Sequence, residues 1–410
     1  MRRLIAGLIV VWLGVGCGML PTPSSPAPST TLPARSPAPS PSSAALPSTP
    51  EPTPRRGATA LDLDFQIIDP RFTTPLLATA TTGTEIIWST DAVNRESRET
   101  APDLYRFRPG VDAEPALIWQ NPRREAVLEP IVGDGGRYAF GERGTAPGDF
   151  WRFWLLPAAN ETAVLLDDGD DGEDVPGFIP SFDLDEDRIV WTAFHAGPNG
   201  PESQLWQASA PDWTPSLVRS VLAAERELWL PSLRGSRVAF VEVIYAADHS
   251  TDERHVLLGD LDDPASEPIG LDQSGRATMP VLLDDAVIWK ETPPGFNMFS
   301  WGSLRIHSLT TGETRGLSML PQPDVNYPSA GNRFVAAWGS DSFAFAIHDL
   351  ERAASRHLLR YALPGPDGIF RPHVAGDMVI ALHSTVNPDG TQIKPLEIWW
   401  AWLPKAGEDR

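Results

Sequence analysis

The chain has one cysteine, Cys17, in 410 residues. A lone thiol near the N-terminus excludes a disulfide framework, a cysteine-rich zinc site and a thiol nucleophile from the rest of the chain. Positive charge is scarce: 33 Lys and Arg stand against 54 Asp and Glu, a formal net charge of −21. Residues 1–56 hold five Arg and one Glu, so the remainder carries 28 basic and 53 acidic residues, a net of −25. Nucleic-acid binding rests on basic contacts to phosphate, and such a partner is not expected here. No segment has a sustained helical period. No Gly-x-Ser-x-Gly elbow, phosphate-binding glycine loop, dinucleotide fingerprint or HExxH pair occurs.

One long apolar run is present, Leu4–Gly16, after Arg2 and Arg3 and directly before Cys17. Its thirteen residues fall short of the ~20 that span a bilayer and suit the apolar region of a signal peptide. The text Leu13-Gly14-Val15-Gly16-Cys17 resembles a bacterial lipoprotein signal. That resemblance implies lipid attachment at Cys17, although Gly14 stands where an apolar residue is usual. The alternatives are an ordinary cleaved signal and an uncleaved N-terminal anchor. All three place the body outside the cytoplasm; lipidated Cys17 or an N-terminal anchor makes the membrane a partner and holds the body at the outer face of the cell membrane, which is the arrangement expected here. Residues 18–57 are almost wholly Pro, Ser, Thr and Ala. This composition cannot bury a core and predicts an extended tether at about 3 Å per residue.

Residues 58–410 carry a repeat of about 50 residues. Seven times a proline (Pro75, Pro130, Pro180, Pro231, Pro280, Pro328, Pro372) precedes a short apolar run. Six of the runs end in an aromatic: Trp88, Phe140, Trp191, Phe240, Trp289 and Trp338; the seventh ends in Leu382. The aromatics are spaced 52, 51, 49, 49 and 49 residues apart. A β-rich unit of this period predicts an all-β fold, a single β-propeller of seven four-stranded blades, or six or eight if one copy is misread. The last copy lacks a strand. Leu61–Ile68 (LDLDFQII) has no blade of its own and is expected to close the ring.

PSLRGSRVAFVEV with LLGDL, and PSAGNRFVAAW with AIHDL, resemble the repeats of the TolB-like, WD40-like propellers and of propellers attached to prolyl-oligopeptidase-type peptidases. The resemblance covers roughly residues 66–404. The Ser-Pro-Asp-Gly turn usual in the family is absent, so the resemblance carries over no binding residue. With Arg410 as its last residue, the chain is not expected to carry a hydrolase domain.

The acidic run Asp167–Asp174 is placed in a loop between blades two and three. Asp167, Asp168, Asp170, Asp171 and Asp174 offer the hard oxygens that calcium favours, the alternative being a solvated acidic loop. No other cofactor is expected. Asp183, Asp185 and Asp187 read as ordinary turn residues, and the eight histidines are scattered. Trp213, Trp229 and Trp301 lie nearest loops and are the aromatics freest to meet a sugar or peptide. In a propeller the second-to-third and fourth-to-first connections share one face. There Trp229, Asn326, Tyr327, Arg371 and His373, near the starts of inner strands, are the candidate ligand-binding residues. The expected role is a non-catalytic binding or scaffold protein of the envelope with a protein or glycan ligand. The alternative is an exported polysaccharide hydrolase or lyase, which needs a carboxylate pair or a metal-ligand cluster converging in the channel, ~5–10 Å apart.

Overall fold

The computed structural model describes residues 63–69, 76–90, 103–123, 126–144, 150–170, 180–247, 252–317, 319, 324–331, 333–339, 345–351, 358–359, 367–385 and 397–404. Among them there is no helix. Twenty-eight strands form seven antiparallel four-stranded sheets. Strand β1 (Gln66–Ile67) comes first. Blade one holds β2 (Leu76–Thr81), β3 (Ile86–Thr90), β4 (Asp103–Phe107) and β5 (Ala116–Gln120). Blade two holds β6 (Ala126–Asp134), β7 (Arg137–Gly144), β8 (Phe150–Leu156) and β9 (Val164–Asp170). Blade three holds β10 (Ser181–Asp185), β11 (Arg188–Gly197), β12 (Gly200–Ser209) and β13 (Ser216–Leu222). Blade four holds β14 (Arg226–Arg234), β15 (Arg237–Tyr245), β16 (Asp252–Asp260) and β17 (Ile269–Gly270). Blade five holds β18 (Ala277–Leu282), β19 (Ala286–Glu291), β20 (Ser303–Ser308) and β21 (Thr314–Leu317). Blade six holds β22 (Val325–Ala330), β23 (Phe334–Gly339), β24 (Phe345–Asp349) and β25 (Leu358–Leu359). Blade seven holds β26 (Asp367–Ala375), β27 (Met378–Thr385) and β28 (Glu397–Trp402), and β1 completes it. The protein is a seven-bladed β-propeller.

The burial of each strand follows its place in the blade. Second strands face a neighbouring blade on both sides and so read as unbroken apolar runs. In Ile86-Ile87-Trp88 and Val238–Val241 every residue is buried. Trp88, Trp191 and Trp289 are fully enclosed at one recurring position and fill the wedge between blades. Fourth strands meet solvent: β13 has no buried residue and β21 only one.

The repeated proline has a structural cause. In blades two, four, five, six and seven, two inner-strand residues oppose one residue of the second strand. Those pairs are Glu129-Pro130, Leu230-Pro231, Met279-Pro280, Tyr327-Pro328 and Arg371-Pro372. A bulge is where a residue without an N–H does least harm to a ladder. Leu230, Met279 and Tyr327 take φ of +51°, +52° and +49° there.

The ring closes as expected from the sequence. Gln66 and Ile67 pair with Trp400 and Trp399. Ile68 N–H donates to Ile398 O at 3.1 Å. Leu63 and Ile68 are buried against blade seven and its neighbours.

Candidate functional site

Antiparallel alternation puts the β19–β20 connection on the face where the fourth-to-first connections lie, here the upper face. This loop, Thr292–Trp301, is held by its main chain. Arg254 Nη2 donates to Phe296 O at 2.7 Å, Lys290 Nζ to Met298 O at 2.8 Å, and Asn326 Nδ2 to Phe299 O at 2.7 Å. The three donors come from β16, β19 and β22, so blades four, five and six hold one loop. Asn297 Oδ1 accepts from Phe299 N–H and Ser300 Oγ inside it. The chain leaves the loop through Gly302, where a Cβ would collide with Glu291 O. Gly302 then bridges to Val325 in both directions, at 3.0 and 2.7 Å.

Anchoring through carbonyls leaves two large apolar side chains of the loop to face outward. Phe296 is 56% and Phe299 36% exposed. Trp301 meets Trp338 edge-on at 5.2 Å, and Tyr327 stacks on Trp338 at 6.2 Å. Met298 and Trp229 both pack on the core cluster around Trp289. Trp229 also meets Phe194 edge-on at 5.8 Å, and its indole N–H donates to Glu227 at 2.7 Å. Beside it, burial and the Glu227 carboxylate push the Tyr245 phenol up.

Positive charge lies beneath the loop. Lys290 is fully enclosed and Arg254 is 2% exposed. Lys290 Nζ also donates to Asn326 Oδ1. Burial, helped by the Arg254 charge, brings the Lys290 amine down to about 7. Burial likewise lowers Arg254, with Asp252 opposing and Arg276 adding to the shift. Glu291 Oε1 accepts from Arg276 at 2.6 Å and Oε2 from Arg305 at 2.7 Å. Burial would raise the Glu291 carboxyl, but these two partners hold it below its ordinary range.

The structure gathers three of the five ligand-binding residues expected from the sequence on this quadrant: Trp229, Asn326 and Tyr327. Asn326 is buried and works as a scaffold for the loop. His373 lies in β26 of blade seven and takes no part in the anchoring; its Nδ1 has no hydrogen-bond partner, and burial brings the ring down to about 4. The side chain of Arg371 lies outside the described residues. Trp213, read as a loop aromatic, is buried at φ +52°.

The acidic run differs from its expected loop placement. Asp167, Asp168 and Asp170 belong to β9, while Asp171 and Asp174 lie outside the described residues. Asp167 Oδ2 accepts from the Trp191 indole at 2.7 Å and bonds His195 Nε2 at 3.1 Å. This carboxylate therefore locks blade two to blade three. Among the described residues no group of three or more His, Cys, Asp or Glu is arranged to hold a metal. Cys17 lies outside the described residues.

The lower mouth of the channel is a polar cavity of about 700 Å³ bounded by the turns between first and second strands. On one side these turns interlock through charge. Asp134 accepts from Glu186 N–H at 2.7 Å, Asp185 from Gly235 N–H at 2.6 Å, and Asp284 from Arg234 at 2.7 Å. On the other side main chains touch; a Cβ on Gly331 would meet Gly376 N at 2.8 Å. Above the charged turns Asp183 accepts from Leu233 N–H at 2.8 Å and from Ser232 Oγ at 3.2 Å. Burial raises its carboxyl to about 6, against the pull of those donors. The lower mouth is thus a clasp between blades, and Asp183 and Asp185 are more than turn residues.

No protein-family model and no curated protein matches the sequence. Solved structures share the fold. The β-propeller domain of the Trilobed protease from Pyrococcus furiosus matches with a TM-score of 0.54 at 11% identity, over 81% of this chain and 96% of that one. The acylaminoacyl peptidase of Pyrococcus horikoshii matches with a TM-score of 0.52 at 12% identity, over 83% of this chain and 54% of that one. A prolyl endopeptidase matches with a TM-score of 0.53 at 10% identity, over 76% of this chain and 46% of that one. The chain thus spans about half the length of these two peptidases. The Trilobed protease propeller has an open velcro topology, whereas β1 closes the ring here.

Proposed function

We propose that the protein is a membrane-tethered, non-catalytic binding propeller of the bacterial envelope that takes its ligand on the upper face. The observation that carries this reading is the Thr292–Trp301 loop. Three side chains from three blades fix its carbonyls, and two phenylalanines project from it into solvent. An apolar patch on a pre-organised loop binds without first losing the entropy of ordering. Trp301, Tyr327 and Trp338 extend the patch with rings suited to a peptide or a sugar face. Attachment through Cys17 and the Pro/Ser/Thr-rich segment would hold the disc off the membrane.

The test compares the full-length protein with the double variant Phe296→Ser/Phe299→Ser as baits in a native envelope extract. One specific ligand retained by the first and lost by the second is the expected result. Identical retention, or hydrolysis of envelope polysaccharide by the protein alone, overturns the reading. The likeness to peptidases of about twice this aligned length supports a second reading, in which the disc serves a hydrolytic partner; retrieval of a hydrolase in the same experiment would favour it.

A further inference from the structure

The rim of the disc is a row of outer strands, and an open strand edge can take on another chain. Most of these edges are blunted. β1, β17 and β25 have two residues each and β21 has four. β9 carries Asp167, Asp168 and Asp170, and in β5 Ile118 O accepts from Asn160 N–H of blade two at 3.3 Å. β13 (SLVRSVL) differs: it has seven residues and no carboxylate, and Ser216, Leu217 and Ser220 are exposed.

The ladder shows which of its main-chain groups are open. Ala223 N–H donates to Pro201 O at 2.9 Å, in register with Leu222 opposite Glu202. Bonded and unbonded pairs alternate in an antiparallel ladder. Val221 and Arg219 therefore bond β12, while Ser220 and Leu222 turn their N–H and C=O to the rim. Leu222 O closes a turn with Glu225 N–H at 3.0 Å. Nothing among the described residues bonds Ser220 N–H, Ser220 O or Leu222 N–H.

The two sides of this edge differ. Toward blade four, Val218 and Val221 pack on the core, and Arg219 meets Glu242 and Glu267 at 3.4 and 3.3 Å. Val218 also borders a hollow of about 30 Å³ walled by Phe240, Gly259, Pro264 and Pro268. It exceeds what one water needs and suits a small aliphatic side chain. Gly259 keeps it open although no turn requires glycine there; a Cβ would come no nearer than 3.5 Å to Val238. Glycine inside a strand often marks close approach by another chain or ligand. On the other side, Glu202 accepts from Ser220 Oγ at 2.6 Å and from Gln204 Nε2 at 2.9 Å. These donors, Ser220 first, hold its carboxyl below the ordinary range, and among the described residues no cation pairs with it.

We propose that the rim between blades three and four binds an extended basic segment of another protein, which adds a strand to blade three at β13, seats a small aliphatic side chain in the hollow beside Gly259 and presents a basic one to Glu202. Main-chain bonds to Ser220 and Leu222 hold such a strand, and alternate side chains then fall on the two sides of the edge. Charge selects the occupant. A disc of net −25 draws a basic partner. A second copy would bring two Glu202 carboxylates to the same edge. This site is separate from the upper face.

The test titrates the full-length protein with a capped peptide of alternating Lys and Val, as long as β13, and follows heat of binding and amide hydrogen exchange. Saturable binding that protects the Ser220 and Leu222 amides is expected. The Glu–Val counterpart should bind at least about tenfold more weakly. Ser220→Pro removes the outward N–H without breaking a ladder bond and should abolish binding, whereas Ser220→Ala should not. Gly259→Leu fills the hollow and should weaken binding about tenfold. Glu202→Gln should erase the preference for Lys over Glu. Phe296→Ser/Phe299→Ser should bind the peptide as the native protein does. No saturable binding, equal binding of the two peptides, protection away from β13, or binding unaltered in Ser220→Pro or in Gly259→Leu overturns the site. Self-association that Ser220→Pro abolishes, with no peptide bound, overturns it in favour of a second copy.

Discussion

At the scale of single residues, Lys290 decides how the upper face responds to pH. Its folded pKa of about 7 lies below the ordinary 10.5. Between these values the unfolded chain binds a proton that the folded chain does not. Stability therefore rises with pH across that window, and the Lys290 contribution is least favourable below about pH 7. Lys290→Met removes this dependence. Relative to the variant, the native protein should gain up to about 1.4 kcal/mol per pH unit between pH 7.5 and 9.5. Urea unfolding at three pH values checks it, and parallel curves would show that Lys290 titrates normally. Asn326 and Tyr327 were legible in the sequence because they open an inner strand beside a long loop. Lys290 was not. In Ala-Val-Ile-Trp-Lys-Glu it reads as the polar end of a strand, and what encloses it is a loop eight residues on and a side chain from the next blade. Arg254 sits in a polar stretch that reads as a loop and lies instead in β16. One pattern was available and carried no obvious meaning. Gln204 with Trp206, Glu227 with Trp229 and Glu397 with Trp399 each place an acceptor two residues before an indole, and each accepts its N–H, at 3.1, 2.7 and 3.1 Å.

At the scale of elements, the repeat was readable because one physical problem is solved seven times. Each second strand must be apolar on both faces, and five inner strands must bend at a bulge. The proline marks the bulge, the aromatic fills the wedge, and both recur with the blade. What period alone could not give was the length of inner strands such as β14, which continues through its Pro231 bulge. The closing strand was legible for a different reason, that of an unpaired edge needing a partner. β1 supplies only two residues of ladder, Gln66 and Ile67, yet Leu63 and Ile68 are buried behind it and Phe65 meets Trp399 at 6.0 Å. Deleting residues 58–69 exposes the β28 edge and those apolar contacts together. The expected result is a Tm lower by more than about 5 °C, consistent with loss of two buried aliphatic side chains, together with concentration-dependent aggregation. A truncated protein that melts with the full-length one would mean that the seventh blade is stable with three strands.

At the scale of the whole molecule, the disc is strongly acidic while the segment before it carries charge of the other sign, and this bears on where the protein works. Residues 58–410 carry a net charge of −25, so the disc is repelled by anionic headgroups within about a Debye length, ~8 Å at physiological salt. In the proposed tethered arrangement, a segment extending on the order of 100 Å would let the disc stand outside that layer while a lipid on Cys17 stayed in the membrane. Stable anchoring takes more than one acyl chain, which lipidation of an N-terminal cysteine supplies and a cleaved signal without lipid does not. Cys17→Ser separates the alternatives. If Cys17 is lipidated, the variant should leave the membrane fraction, or persist as an unprocessed precursor, and label from fatty acid should vanish. The fold and its Tm, measured on detergent-solubilised protein, should not change, because the first strand of the propeller, Gln66–Ile67, lies 49 residues beyond the cysteine. Continued membrane association of a fully processed variant would overturn lipid anchoring. A variant of unaltered size that stays in the membrane and never carried fatty acid would instead identify Leu4–Gly16 as an uncleaved anchor.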